Sequence, residues 1–390
     1  MGIANNMEEN FIKKFLSKKI DITREISALK KEVSLEIFKR YANFSESYND
    51  KLGVIPFNDK FISYSYQRHD LKLFCDDWLN FLYNTKNKND SSGIFFANCM
   101  AAISTLIISL KDNGCKNAVF SNLPYFESYD FAERIFGKEN VKEYKNYNNE
   151  DVDILWLCTA SPRFLSVDYK NIKTKNIIID TSCIDCSHAF IKEILKHCDE
   201  NNISLFLVRS HMKLDCFGLE INRLGSLVCF NDKDNILDAC KNLEAYFGNN
   251  ATIKNIYPWL GESDFFELTS SNILYVNSIV KKMSKLLADL LDKEKYEVCT
   301  FDNNIYFTIK LKNRVEDLDG LNRSVSFYCQ SFNLPIVTAA SFYLEKVGLD
   351  NFERRLDGGS QFLRISPSLY VSEKEMVDVI GRVAEYLNGK

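Results

Sequence analysis

The sequence predicts an α/β fold, three layers deep (α/β/α) around a mostly parallel sheet. A helical arm precedes it and a smaller α+β domain follows it. Three observations point this way. Short continuous apolar runs recur from about residue 93, helix-period segments separate most of them, and the 390 residues include only 15 Gly and 6 Pro. A strand apolar on both faces belongs in a sheet covered on both sides, and such sheets are largely parallel with helices as crossovers. Few Gly and Pro argue for long helices and short loops rather than a many-turned sandwich.

Residues 1–60 read as the arm, because Lys, Glu and Ile/Leu/Phe recur at helical spacing from Phe11 to Phe44. Residues 61–255 are expected to form the large α/β domain. Its apolar runs are Asn117–Phe120, Val152–Leu157, Asn176–Ile179, Ile203–Val208 and Leu227–Phe230, with Ala189–His197 as a crossover helix. The most apolar stretch, Phe95 to Leu110, is broken by Asn98, Ser104 and Thr105; it is too short to span a bilayer and reads as a buried helix. Residues 256–390 are expected to form the smaller domain, with a long helix from Ser270 to Leu291 and strands at Ile305–Leu311 and Phe362–Ser366. Arg354 and Arg355 fall in a helix-like pattern. No internal repeat and no Gly/Ser-rich or Pro-rich linker interrupts the chain.

Composition excludes several classes. Lys+Arg 49 against Asp+Glu 53 gives a net charge of -4, so no basic field recruits nucleic acid or an anionic membrane. With 46% hydrophobic and 26% charged residues, the chain has the balance of a soluble globular protein, not a disordered one. The 12 Cys are scattered, unlike a secreted disulfide framework, and the opening residues lack the apolar core of a signal peptide. A reducing cytoplasm with free, mostly buried thiols is the expected setting. Cys183-x-x-Cys186-x-His188 has no second ligand pair at a fitting spacing, so no metal site is expected. Lys170–Lys175 reads as a solvated connection, and no Gly-rich nucleotide loop is present.

In open α/β sheets, ligands gather beyond the carboxyl ends of the strands. Asp180 ends the run Asn176–Ile179. After the next run come Ser210-His211-Met212-Lys213, then Gly218-Leu219-Glu220-Ile221-Asn222-Arg223-Leu224-Gly225. A lysine amine becomes nucleophilic when desolvated or set beside other cationic character. A phosphate dianion calls for a guanidinium fork with hydroxyl and backbone donors. Any one of these residues alone reads as a solvated loop residue; the ordered set after successive strands reads as a cofactor site.

That set resembles fold-type I pyridoxal-phosphate enzymes, the aspartate aminotransferase superfamily, over roughly residues 64–366. The resemblance implies pyridoxal 5'-phosphate as cofactor. Lys213 would form the Schiff base with its aldehyde and Asp180 would pair with the pyridinium nitrogen, so that the ring acts as an electron sink. Ser210 and Arg223 would hold the phosphate.

Other segments are similar to one branch, the cystathionine γ-synthase and γ-lyase relatives of cysteine/methionine metabolism. Asn98-Cys99-Met100-Ala101-Ala102-Ile103 resembles their Ser-Gly-Met-Ala-Ala-Ile, which implies a phosphate cradled by backbone amides at a helix N-terminus, with Cys99 in place of Gly. Tyr125-Phe126-Glu127-Ser128-Tyr129 resembles Tyr-Gly-Gly-Thr-Tyr and makes Tyr125 the ring-stacking residue. Tyr66-Gln67-Arg68 resembles the Tyr-x-Arg with which one subunit reaches the other's phosphate, which implies a homo-oligomer with a shared active site. Phe362–Ser366 resembles the motif whose arginine, here Arg364, grips the substrate α-carboxylate. Ala340–Glu345 falls where the branch has Ser-Leu-Gly-Gly-x-Glu, which places Ser341 near that carboxylate.

Two departures stand out. Ser161-Pro162-Arg163-Phe164 lacks the family's Asn-Pro, and Cys183 stands where aminotransferases often have a tyrosine, so the partner of the ring oxygen is unassigned. The resemblance implies an enzyme acting on a small-molecule α-amino acid through a Cα carbanion, by β- or γ-elimination or replacement. An aminotransferase is the alternative, on the strength of Gly218–Gly225. A non-catalytic descendant of the fold is a third reading.

Overall fold

The computed structural model describes residues 54–57, 60–63, 83, 91–216, 223–249, 251, 263–339, 345–354 and 359–389. A short antiparallel hairpin of β1 (Val54–Phe57) and β2 (Lys60–Ser63) lies where the expected arm meets the expected large domain. The rest of residues 1–60 lies outside the described residues. Next come β3 (Ser91–Phe96), α1 (Cys99–Asp112), β4 (Ala118–Phe120), α2 (Phe126–Phe136), β5 (Val141–Glu143), β6 (Val152–Cys158) and β7 (Thr174–Asp180). They are followed by α3 (Ala189–Asn201), β8 (Ser204–Ser210), β9 (Gly225–Phe230), α4 (Ile236–Phe247) and α5 (Ser263–Leu290). The chain ends with β10 (Tyr296–Thr300), β11 (Phe307–Leu311), α6 (Leu318–Ser331), β12 (Ile336–Thr338), β13 (Val347–Arg354), β14 (Ser360–Ser366) and α7 (Glu373–Asn388).

The central sheet has seven strands in the order β3-β9-β8-β7-β6-β4-β5. All its pairings are parallel except those of β9, which runs antiparallel to both β3 and β8. Its strands are apolar on both faces because both faces are buried. Ile154, Trp156, Ile178, Phe206, Val208 and Leu227 pack with α1, α2 and α4, while Leu155, Leu157, Ile177, Ile179, Leu205 and Val228 pack on the opposite side. The predicted three layers and mostly parallel sheet are therefore present.

A second, five-stranded sheet, β10-β11-β14-β13-β12, is mostly antiparallel and carries the C-terminal α+β part. Helix α7 packs beside α5 and α6 and buries Met376, Val379, Ile380, Val383 and Leu387, and a capping box of Ser372 and Glu375 fixes its start. The expected helix at Ser270–Leu291 corresponds to α5.

Two sequence expectations are corrected. Phe95 and Phe96 close strand β3 rather than opening the helix, each fully buried on a different face of the sheet; the helix begins only after the Asn98 cap. Arg354 ends strand β13 instead of lying on a helix, because Asp350–Arg354 pairs residue for residue with Ser360–Arg364. Arg355 lies outside the described residues. His197 and Cys198 do lie on a helix, α3.

Candidate functional site

The ladders bring a set of polar residues to one edge of the central sheet. Cys158, Asp180 and Val208 are neighbours across β6, β7 and β8, and Ser210, Gly225 and Phe96 are neighbours across β8, β9 and β3. Strand alternation puts Asp180 on the face of Ile178, the face that α1 covers. Helix α1 starts over this edge. Asn98 caps it, accepting from the Ala101 amide through Oδ1 at 2.9 Å, so the amides of Cys99 and Met100 are the first-turn donors that this side chain does not take. Close approach is built in at Gly225. A Cβ there would lie 2.5 Å from the Asn98 carbonyl and from the Cys99 amide nitrogen, so only glycine lets the helix start sit this close to β9.

Ser182 ties the edge together. Its amide donates to Asp180 Oδ1 at 3.0 Å, and its Oγ accepts from the Ser210 amide at 2.8 Å. The Ser182 side chain also hydrogen-bonds Asp180 and Cys99. Asp180 is 5% exposed. Burial raises its carboxyl above the usual range, while the Ser182 hydrogen bonds and the charges of Arg209 and Lys213 pull the other way.

Lys213 is half-buried on the loop after β8, and its charge acts on Asp180, Cys99 and Cys183. Burial pushes the Cys183 thiol up to about 12, with Asp180 adding to it, and pushes Cys99 up as well. Both cysteines are therefore neutral thiols near neutral pH, not nucleophilic thiolates. Tyr125 precedes α2 and is partly exposed. Burial raises its phenol, the Tyr125 hydroxyl donates to Glu127 Oε2 at 2.7 Å, and the charge of Asp180 acts on it too.

The second sheet closes the edge from the other side. Tyr306 donates to the Ala160 carbonyl at 2.8 Å and Asn303 to the Thr159 carbonyl at 2.8 Å, latching it to the loop after β6. Arg364 on β14 lies over the Tyr306 ring, 5.5 Å from its centroid, and its Nη2 pairs with Asp350 at 2.8 Å. Its charge reaches Cys183.

The structure thus gathers Lys213, Asp180, Asn98, Cys99, Met100, Tyr125 and Ser210 at one edge, with Arg364 facing them. Arg223 is exposed and immediately precedes Leu224, whose carbonyl accepts from the His211 amide at 3.0 Å. Tyr66, Arg68 and Ser341 lie outside the described residues. Cys183 and Cys186 are buried, and His188 caps α3 by accepting from the Phe190 amide at 3.2 Å. Among the described residues no group of His, Cys, Asp and Glu could hold a metal ion, and no helix is long and apolar enough to cross a membrane.

A buried polar cluster on the opposite face of the sheet escaped the sequence reading. Arg209 Nε and Nη2 pair with both oxygens of Asp215 at 2.7 and 2.6 Å. Its Nη1 donates to the carbonyls of Thr181 and Ile184. His211 lies with Nδ1 2.7 Å from Asp215 and Nε2 2.9 Å from the Ser226 hydroxyl, and Tyr83 bonds Thr181 Oγ1 at 3.0 Å. Burial alone would raise the Asp215 carboxyl, yet Arg209 and His211 hold it well below the usual range. The available signal was an arginine closing an otherwise apolar strand, Ser204–Arg209, with an aspartate six residues on; a charge in such a place needs a partner.

No protein-family model and no curated protein matches the sequence. Solved structures do. The chain superposes on metB from Corynebacterium glutamicum with a TM-score of 0.52 and 12% identity, over 77% of this chain and 82% of that one. It superposes on cystathionine γ-synthase from Xanthomonas oryzae pv. oryzae in complex with cystathionine with a TM-score of 0.53 and 12% identity, over 88% and 92%. It also superposes on aspartate aminotransferase from Thermotoga maritima with a TM-score of 0.50 and 11% identity, over 92% and 88%. All three are fold-type I pyridoxal-phosphate enzymes. At these identities the likeness is one of fold, and fold-type I is the fold of this chain.

Proposed function

We propose that the protein is a pyridoxal 5'-phosphate-dependent enzyme acting on an α-amino acid. The observation that carries this reading is the placing of a half-buried Lys213, whose charge acts on the buried Asp180, beyond adjacent strand ends, with Ser182 tying Asp180 to Ser210. The residues present fit the cofactor. A carboxylate suits a protonated ring nitrogen, an amine suits an aldehyde, Tyr125 offers a ring face, and the helix start packed on Gly225 offers amide donors to a phosphate.

In this reading Lys213 would hold the cofactor covalently, Asp180 would keep its ring nitrogen protonated and Tyr125 would offer a face to its ring. The Cys99 and Met100 amides bind the phosphate with Asn98, Ser210 and Arg223, and Tyr66 and Arg68 reach it from a second subunit of a homo-oligomer. Arg364 and Ser341 take the substrate carboxylate, with Arg364 exchanging Asp350 for it. When bound, the cofactor supplies an electron sink for the carbanion formed at Cα. The Lys213 amine, set free when the substrate's own amine takes its place, would remove the Cα proton and return it, acting as base and then acid. Asp180 has to stay ionised, and the Ser182 hydrogen bonds with the nearby Arg209 charge favour that form.

The favoured reaction is β- or γ-elimination or replacement, supported by the likeness of Asn98–Ile103 and Tyr125–Tyr129 to the cysteine/methionine branch. Transamination is the second reading, favoured by the segment Gly218–Gly225. The described cysteines are all free thiols, which suits a reducing cytoplasm.

A panel of amino acids, offered with cofactor but no oxo-acid acceptor, separates the reactions. Elimination gives ammonia and a 2-oxo acid over many turnovers. Transamination stops after one stoichiometric half-reaction, and replacement needs an added thiol or other nucleophile. Release of no product from any amino acid, by a protein that binds the cofactor, would instead favour a non-catalytic descendant.

A further inference from the structure

We propose that Arg209 is the positioning residue of this site: one buried guanidinium clamps the loop that carries Lys213 to the turn that follows Asp180. The inference rests on Lys213 and Asp180 being the working pair, and the geometry adds a residue that touches neither substrate nor cofactor.

Arg209 is the residue before Ser210 and is 1% exposed. It points away from the candidate site, to the face of Leu207. One side of its fork takes both oxygens of Asp215, two residues beyond Lys213, at 2.6 and 2.7 Å. Its Nη1 takes the carbonyls of Thr181 and Ile184, on either side of Ser182 and Cys183. The segment from Arg209 to Asp215 is therefore closed into a ring by an ion pair, with Lys213 inside it. The segment from Thr181 to Ile184 is held against that ring.

His211 braces the arrangement from within the loop, between Asp215 and Ser226, and the His211 amide donates to the Leu224 carbonyl at 3.0 Å. A lysine could supply the charge but not a planar fork reaching a carboxylate and two carbonyls together. The positive charge also acts on Asp180, favouring its carboxylate. Lys213 acts on Asp180 from β7, on Cys99 from α1 and on Cys183 from the turn after β7, and Arg364 of β14 acts on Cys183. Arg209 itself faces Asp215, Cys186 and Tyr83.

The test combines a readout without cofactor and one with it, on the full chain and on Arg209→Met, Arg209→Lys and Asp215→Asn. Without cofactor, competitive chemical labelling of amines at one fixed pH, read by mass spectrometry, gives the reactivity of Lys213 relative to the other lysines. Loss of the fork in Arg209→Met and in Arg209→Lys is expected to raise it severalfold with the other lysines unchanged, because the loop is no longer held. Asp215→Asn, which removes the other end of the clamp, is expected to raise it as well. With pyridoxal 5'-phosphate, covalent capture by Lys213, trapped by hydride reduction, is expected to slow about 10²-fold in both Arg209→Met and Arg209→Lys, since both lose the fork.

A folded Arg209→Met with the parent's Lys213 labelling and capture rate would overturn the clamp. If Arg209→Met does not fold, Asp215→Asn and Arg209→Lys decide by the same criteria. If the parent chain captures no cofactor through Lys213, the cofactor reading fails, and the labelling of Lys213 alone decides the clamp.

Discussion

Two arginines flank the candidate site, and they are built for opposite tasks. Arg209 is fully buried, and its guanidinium is engaged by a carboxylate and two backbone carbonyls. Arg364 is half-buried on β14, lies over the Tyr306 ring and pairs with the partly exposed Asp350. A charge taken wholly out of water is tolerable only with its partners fixed, so Arg209 holds structure. A charge at a solvated edge can trade one carboxylate for another at small cost, so Arg364 suits a ligand. Burial, more than residue type, separates the arginine that positions from the arginine that binds.

Breaking the buried member is expected to have the largest effect on stability. Removing one partner of a buried ion pair leaves an uncompensated charge, so Asp215→Ala is expected to lose about 3–5 kcal/mol in urea unfolding. The same operation on the other arginine sharpens the contrast. Arg364→Met is expected to stay within about 1 kcal/mol of the parent in stability. Its kcat/KM is expected to fall about 10- to 100-fold, as charged hydrogen bonds to a substrate carboxylate are worth about 1.5–3 kcal/mol. A fall in stability without a fall in kcat/KM would assign Arg364 to structure.

Gly225→Ala probes the floor between the two regions. Its Cβ would meet the Asn98 carbonyl at 2.5 Å, and overpacking of this kind costs about 1–3 kcal/mol. Weaker cofactor binding is expected with it, measurable by equilibrium dialysis.

The smallest expected effect is on the acid side of the stability profile. Burial holds the folded pKa of His211 below its ordinary 6.5. As pH falls below 6.5 the unfolded chain therefore takes up that proton first, and the stability present above 6.5 is progressively lost as pH drops through the folded pKa. Asp215, held below its ordinary 3.8, adds a second loss below pH 3.8. His211→Asn is expected to flatten the first decline in Tm against pH and to weaken the second without removing it, because Arg209 still holds the Asp215 carboxyl down.

The contrast also bears on what could be read in advance. The runs Val152–Leu157, Asn176–Ile179 and Ile203–Val208 announced their strands because a doubly covered sheet confines polar residues to the strand ends, here Asp153, Asn176 and Ser204 near the starts, and leaves the middles apolar. Strand β5, Val141–Glu143, and strand β13, Val347–Arg354, gave no such signal. The first is only three residues at the edge of the sheet, and the second mixes charged and apolar residues in a partly exposed strand. Lys213 and Asp180 were legible because chemistry at strand ends demands those residue types in order. Ser182 was not, since a serine after a strand is an ordinary turn residue until its Oγ is seen accepting from Ser210. Arg209 and His211 were hidden for a different reason. Their partners, Asp215 and Ser226, become neighbours only when the loop after β8 closes and β9 returns antiparallel beside β8.

The central claim is that Lys213 holds a pyridoxal cofactor opposite Asp180, and its most direct test is spectroscopic. Purified protein mixed with pyridoxal 5'-phosphate and freed of excess cofactor is expected to show a visible absorption band. Hydride reduction should fix the cofactor to the peptide that contains Lys213, and Lys213→Ala should abolish both signals. A parent protein with no band, or a band that persists unchanged in Lys213→Ala, would contradict the account.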